Sequence, residues 1–200
     1  MSEKDFDLIC IGRSCVDLYS GEFGVPLERA MTFTKSVGGS PMNIAIGMSR
    51  LGLRVGAITG VGQEDNGRYL KWQLSCEGVD VSAVKTDPKR LTAMVLLSIR
   101  GDNDFPLIQY RENCADMGLT AEDIDPDYLA RAGAVLVTGT HLSREGVRSA
   151  TMKVLETAKR LGLKCILDID FRPNLWGLQG HDAGSSHWAE ASEQVTSEYK

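Results

Sequence analysis

The chain of 200 residues lacks the marks of several protein classes. No apolar run reaches bilayer length, so no membrane-spanning helix and no membrane partner are expected. No block of Lys or Arg occurs and the formal net charge is -5, which argues against nucleic acid as a partner. The opening residues, MSEKDFDLICIG, have no basic region before an apolar one and no cleavage site, so they do not read as a signal peptide. The three histidines form no H-E-x-x-H pattern. The five cysteines are odd in number, widely spaced and without a C-x-x-C pair, and they read as reduced core residues of a cytoplasmic protein. Two phosphate signatures are also missing. G-x-x-x-x-G-K-[ST] is absent, so there is no Walker lysine. The turn after the first apolar run reads Gly12-Arg13-Ser14-Cys15, which is no dinucleotide fingerprint and speaks against a nicotinamide-dependent oxidoreductase.

What is present is an alternation of apolar runs and amphipathic segments. Residues 6–12 form a short apolar run that ends in glycine and reads as a buried strand. After a mixed stretch, Ser40 is placed as N-cap and Pro41 as first residue of a helix whose inward face is Ile44, Met48 and Leu51. Gly52 then ends the helix and residues 54–60 form the next strand. The junction recurs: Arg160-Leu161-Gly162-Leu163 repeats the helix-glycine-strand passage of Arg50-Leu51-Gly52-Leu53. A later helix, about 144–161, carries a buried stripe of Val147, Thr151, Val154, Ala158 and Leu161. The runs 134–138 and 163–169 that flank it are near-continuously apolar, as in parallel strands covered on both faces. Residues 92–99 and 106–111 read as two strands around the turn Gly101-Asp102-Asn103-Asp104. The pattern predicts an α/β fold: a Rossmann-like parallel sheet with helices on both faces and a small added β lid. Residues 180–186 read as a loop and 188–199 as a helix.

Two features point to a ligand. Gly38 and Gly39 run into a helix start, and Asn43 follows one turn in. A side-chain amide offers a donor and an acceptor, which suits a hydroxyl better than a phosphate. Asp17 lies just beyond the first strand, at the strand end where open α/β sheets bind ligands, and a carboxylate can accept two vicinal hydroxyls. The segment Gly60-Val61-Gly62-Gln63-Glu64-Asp65-Asn66-Gly67 reads instead as turn and helix-start chemistry.

Together, Gly38-Gly39-x-Pro41-x-Asn43-x-Ala45, Gly52, Gly60 and the Gly62 to Gly67 turn resemble the first signature of the ribokinase, or phosphofructokinase-B type, sugar kinase family. The resemblance covers essentially the whole chain. It implies a ribokinase-like domain with lid segments at about 17–37 and 91–112, ATP and Mg2+ as cofactors, and Asp17, Gly38, Gly39 and Asn43 at the acceptor sugar. Relatives commonly pair lid to lid, which implies a homodimer. Tyr110-Arg111-Glu112-Asn113-Cys114-Ala115-Asp116 and Asp168-Ile169-Asp170-Phe171-Arg172-Pro173-Asn174-Leu175-Trp176 are similar to segments of family members that act on keto-deoxy sugar acids. That similarity implies Arg111 and Arg172 as the substrate carboxylate's partners, in keeping with the planar fork of a guanidinium. Surface ion pairing with Asp168 or Asp170 is the bland alternative for them.

The resemblance also defines what these residues do not contain. The family's phosphate loop, D-T-x-G-A-G-D, ends in the catalytic aspartate, and no G-A-G-D occurs in the chain. Asp182-Ala183-Gly184-Ser185-Ser186 lacks the second glycine and the last aspartate. The expectation is an N-terminal, sugar-binding portion with no catalytic base of its own and with most of the ATP pocket elsewhere. Its sheet would expose an unpaired edge. A non-catalytic sugar-acid-binding module and a kinase for a neutral sugar or nucleoside remain as rivals.

Overall fold

A computed structural model describes residues 4–102, 104–173 and 175–177. Its elements, in chain order, are β1 (Phe6–Ile11), β2 (Cys15–Ser20), β3 (Phe33–Gly38), α1 (Ser40–Arg50), β4 (Val55–Gly62), α2 (Asp65–Cys76), β5 (Val79–Asp80), β6 (Val84–Asp87), β7 (Ala93–Leu97), β8 (Leu107–Tyr110), α3 (Pro126–Ala130), β9 (Ala132–Thr138), α4 (Glu145–Arg160) and β10 (Lys164–Asp168). The loop and helix expected over 180–199 lie outside the described residues.

The main sheet runs in the order β10-β9-β1-β4-β5, with β6 paired to β4 farther along. Every pairing in it is parallel. Strand side chains alternate between faces, and each face carries its own core. On one, Ile9, Ile11, Val135 and Val137 pack with Leu129 of α3 and with Val147, Val154 and Ala158 of α4. On the other, Leu8, Cys10, Ala57 and Leu136 pack with Met42 and Ala45 of α1 and with Leu70 and Leu74 of α2. This is the doubly covered sheet that the apolar runs predict. A second sheet, β3-β2-β7-β8, stands apart from it. In it β2 pairs β3 antiparallel and β7 parallel, and β7 pairs β8 antiparallel.

Both helix-glycine-strand junctions are Schellman closures. Gly52 and Gly162 adopt φ of 91° and 68°. Leu53 N–H donates to Met48 O at 3.1 Å and Leu163 N–H to Ala158 O at 2.9 Å, while each glycine N–H donates three residues back. One physical unit thus ends α1 and α4.

The structure corrects four local expectations. Gly39, not Ser40, is the N-cap of α1, and Ser40 is already helical. Its hydroxyl donates instead to Asp168 Oδ2, across to the end of β10. The inward face of α1 is Pro41, Met42 and Ala45, with Ile44 and Met48 half-buried. Leu51 lies past the last helical turn and is 79% exposed. Only Cys10, Cys15 and Cys114 are buried; Cys76 and Cys165 are exposed, and all five are free thiols. The run 163–169 forms a parallel strand, but not one covered on both faces. Among the described residues β10 pairs only with β9, which leaves Ile166, Leu167 and Ile169 exposed.

Two glycine substitutions should move stability in opposite directions. Gly162 has open space around it, so Gly162→Ala meets only the cost of positive φ and should lose about 1–2 kcal/mol. Gly47, inside α1 and equally unobstructed, should gain about 0.5–1 kcal/mol on Gly47→Ala. Thermal unfolding of the two variants checks the pair.

Candidate active site

The site begins with two contacts that only glycine permits. A Cβ on Gly39, whose φ is 98°, would overlap the carbonyl oxygen of Arg13. A Cβ on Gly38 would overlap the Asp17 carboxylate. With no side chain at either position, the loop from β3 into α1 lies directly against the residues that join β1 to β2. Arg13, Asp17 and Asn43 thereby come to face one cavity of about 550 Å3. Arg13, Gly39, Ser40 and Asn43 line it from the main sheet and α1, and Arg172 from beyond β10. The lid sheet closes the other side with Asp17, Tyr19, Val95, Leu97, Leu107 and Gln109.

The cavity is electrically divided. Asp17 accepts the Cys15 thiol at 3.2 Å. Burial pushes the Asp17 carboxyl above the ordinary range, with Cys15, Arg13 and Arg172 pulling the other way. Arg172 Nε donates to Asp170 Oδ1 at 2.9 Å and its side chain stays 33% exposed. Arg13 is only 6% exposed. Burial opposes its charge, but Cys15, Asp170, Asp116 and Asp17 around it together raise its pKa, so it remains a guanidinium.

Five of the six residues singled out in the sequence meet here. Asp17, Gly39, Asn43 and Arg172 line the cavity, and Gly38 lies beneath Asp17. Arg111 does not reach it. Its guanidinium is buried and ion-paired with Asp116 Oδ2 at 2.7 Å. Asp116 is fully buried, with His141 Nε2 3.9 Å away. Burial opposes the Asp116 charge, but Arg111 and His141 outweigh it and hold its carboxyl below the usual range. Burial pushes the His141 pKa down, with Asp116 pulling the other way. In this structure Arg111 therefore serves a closed ion pair behind the site. The strand parity that turns Leu107 and Gln109 inward ends with β8 at Tyr110, one residue too early to aim Arg111. Arg13 lines the cavity although the Gly12-Arg13-Ser14-Cys15 turn carries no dinucleotide fingerprint. Its signal in the sequence is a cation directly after the glycine that ends β1.

The Gly60 to Gly67 segment has the structural role read for it. Glu64 caps α2 by accepting Asn66 N–H at 2.6 Å and Gly67 N–H at 3.3 Å, and its other oxygen accepts Thr92 N–H at 2.8 Å.

A parallel sheet covered on both faces, a lid sheet and a polar cavity between them define an α/β sugar-kinase architecture. The chain belongs to the pfkB family of carbohydrate kinases, whose family model matches residues 5–188. Among curated relatives, 5-dehydro-2-deoxygluconokinase of Geobacillus kaustophilus is 42% identical over 175 residues, 87% of this chain and 52% of its own length. The protein of the same name from Halalkalibacterium halodurans is 38% identical over 88% of this chain and 53% of its own length. The chain spans about half the length of these relatives. Among solved structures, a PfkB protein from Polaromonas sp. JS666 superposes with a TM-score of 0.81 at 30% identity, over 86% of this chain and 58% of that one. A sugar kinase from Pyrococcus horikoshii in complex with ATP gives 0.78 at 32% identity, over 85% and 55%.

Two measurements probe the site. Gly38→Ala should displace the Asp17 carboxylate while the chain still folds, and on the expectation that Asp17 accepts sugar hydroxyls it should weaken sugar binding by about 10-fold or more. Calorimetric titration beside circular dichroism reads both properties. An ionised Asp17 is the stronger acceptor for hydroxyls, and its folded pKa is raised. Affinity should therefore fall on acidification from a higher pH than an ordinary aspartate would set, and Asp17→Asn should abolish that fall. The same raised pKa means that ionised Asp17 opposes folding above its unfolded pKa, so Asp17→Asn should raise the melting temperature at neutral pH.

Proposed function

We propose that the complete protein phosphorylates a deoxy keto sugar acid, 5-dehydro-2-deoxygluconate, with ATP, and that this chain is its acceptor-binding half. The observation that carries the reading is the divided cavity: a hydroxyl-accepting carboxylate, Asp17, and an amide, Asn43, share one space with the guanidinium groups of Arg13 and Arg172. A neutral sugar needs no such cations, whereas a sugar acid presents a carboxylate that a guanidinium binds in a planar fork. The names borne by the relatives agree with that substrate class.

Phosphoryl transfer consists mainly of positioning and charge stabilisation. This chain's share is the positioning of the acceptor. Asp17 and Asn43 hold hydroxyls, the Gly38-Gly39 backbone lets the sugar's surroundings close tightly, and the lid strands β7 and β8 exclude water on the apolar side through Val95, Leu97 and Leu107. ATP supplies the transferred phosphoryl group. Magnesium would neutralise charge on it; among the described residues no group of three or more His, Cys, Asp or Glu could hold a metal ion. The G-A-G-D loop that would provide base and phosphate cradle does not occur in these 200 residues.

The test is a substrate panel. The complete protein should turn over 5-dehydro-2-deoxygluconate with ATP far faster than fructose or ribose, and the 200-residue chain alone should show no turnover. Comparable rates on neutral sugars would remove the sugar-acid assignment. Tight binding of the acid without turnover by the complete protein would favour a non-catalytic binding module.

A further inference from the structure

The arginines around the cavity differ in what balances them. Arg111 is paired with Asp116 and Arg172 with Asp170. Arg13 is as buried as Arg111, yet among the described residues no carboxylate lies within ion-pair distance of it. Its one hydrogen-bond partner is weak, the Cys15 sulfur at 3.9 Å from its Nη1. Its Nε has no partner at all among the described residues. A buried charge without a direct counter-ion costs several kcal/mol, and such groups are retained where something else completes the pairing. Here that partner has room to enter, because Arg13 lines the cavity. A second orphan faces the same space: Gln109 on β8 is 9% exposed, lines the cavity, and its Oε1 accepts no hydrogen bond among the described residues. Asp17 lines the cavity as well, but forms no ion pair with Arg13. The two charges thus present opposite poles to one ligand.

We infer that Arg13 is the buried anchor for the substrate carboxylate, and that Gln109 accepts a neighbouring hydroxyl. The carboxylate end of the sugar acid turns toward Arg13 and away from Asp17, which repels it and takes hydroxyls instead. Arg172, half-open at the rim, then assists from outside, and Arg111 takes no direct part. This assignment rests on the sugar-acid reading above and adds to it the residue that enforces it.

The experiment compares 5-dehydro-2-deoxygluconate with its neutral C1 amide by calorimetric titration on wild type, Arg13→Gln and Arg13→Lys. Wild type should prefer the acid by about 10- to 100-fold, the range of a charge-assisted hydrogen-bonded pair. Arg13→Gln should erase that preference while affinity for the amide stays within about 3-fold, and Arg13→Lys should restore part of it. Loss of affinity for both ligands in proportion, together with a fall in melting temperature, would show a merely structural arginine and overturn the assignment. An unchanged preference in Arg13→Gln overturns it too, while leaving the sugar-acid reading intact. Equal binding of acid and amide by wild type defeats both. Should the variants fail to fold, 15N-arginine labelling of wild type decides: a protected Nε–H resonance should move on adding the acid and not the amide, and its failure to move counts against Arg13.

Discussion

Everything in the site depends on one close approach of backbone to backbone. The loop from β3 into α1 touches the segment joining β1 to β2 because Gly39 has no Cβ to strike the Arg13 carbonyl and Gly38 none to strike Asp17. The approach lets α1 start directly beneath the lid strand β2, with Asn43 and Asp17 facing the same space. The glycine pair removes bulk so that a carboxylate and a helix terminus can face one cavity.

The packing behind the site supports this arrangement. β1 lies at the centre of the main sheet, between β4 and β9, with its side chains alternating into two separate cores. A strand held on both edges and both faces is a rigid base for Arg13 and for β2. The Arg111–Asp116 pair is buried with His141, whose Nε2 lies 3.9 Å from Asp116 Oδ2. A buried pair of this kind adds little net stability but makes either partner costly to lose. The exposed Ile166 and Leu167 of β10 mark the other extreme, a strand held along one edge only among the described residues.

Much of the fold was legible because it rests on local rules. Apolar runs of strand length mark β1, β4 and β9, and glycine at C′ marks the ends of α1 and α4. That Asp17, Gly38, Gly39 and Asn43 come together was legible because a glycine pair running into a helix start and a carboxylate just past the first strand mark the strand-end side of a parallel sheet. The cap of α1 was misplaced by one residue because Ser40 finds a better partner in Asp168, 128 positions away. Arg111 lies away from the cavity because adjacency to a lid strand does not fix where a long side chain goes once the strand has ended. Asp116, five residues on, captures it.

The sequence by itself determined the alternation of strands and helices, the two glycine closures and the glycine pair that permits a ligand loop, because each follows from local periodicity or backbone freedom. Only the tertiary structure decided which cations face the cavity. Arg13 and Arg172 meet at one cavity from segments far apart in the chain, whereas Arg111 is turned away into a pair with Asp116. Arg111 and Arg172 each hold a carboxylate close by in the chain, and Arg13 faces the cavity with no carboxylate within ion-pair distance among the described residues.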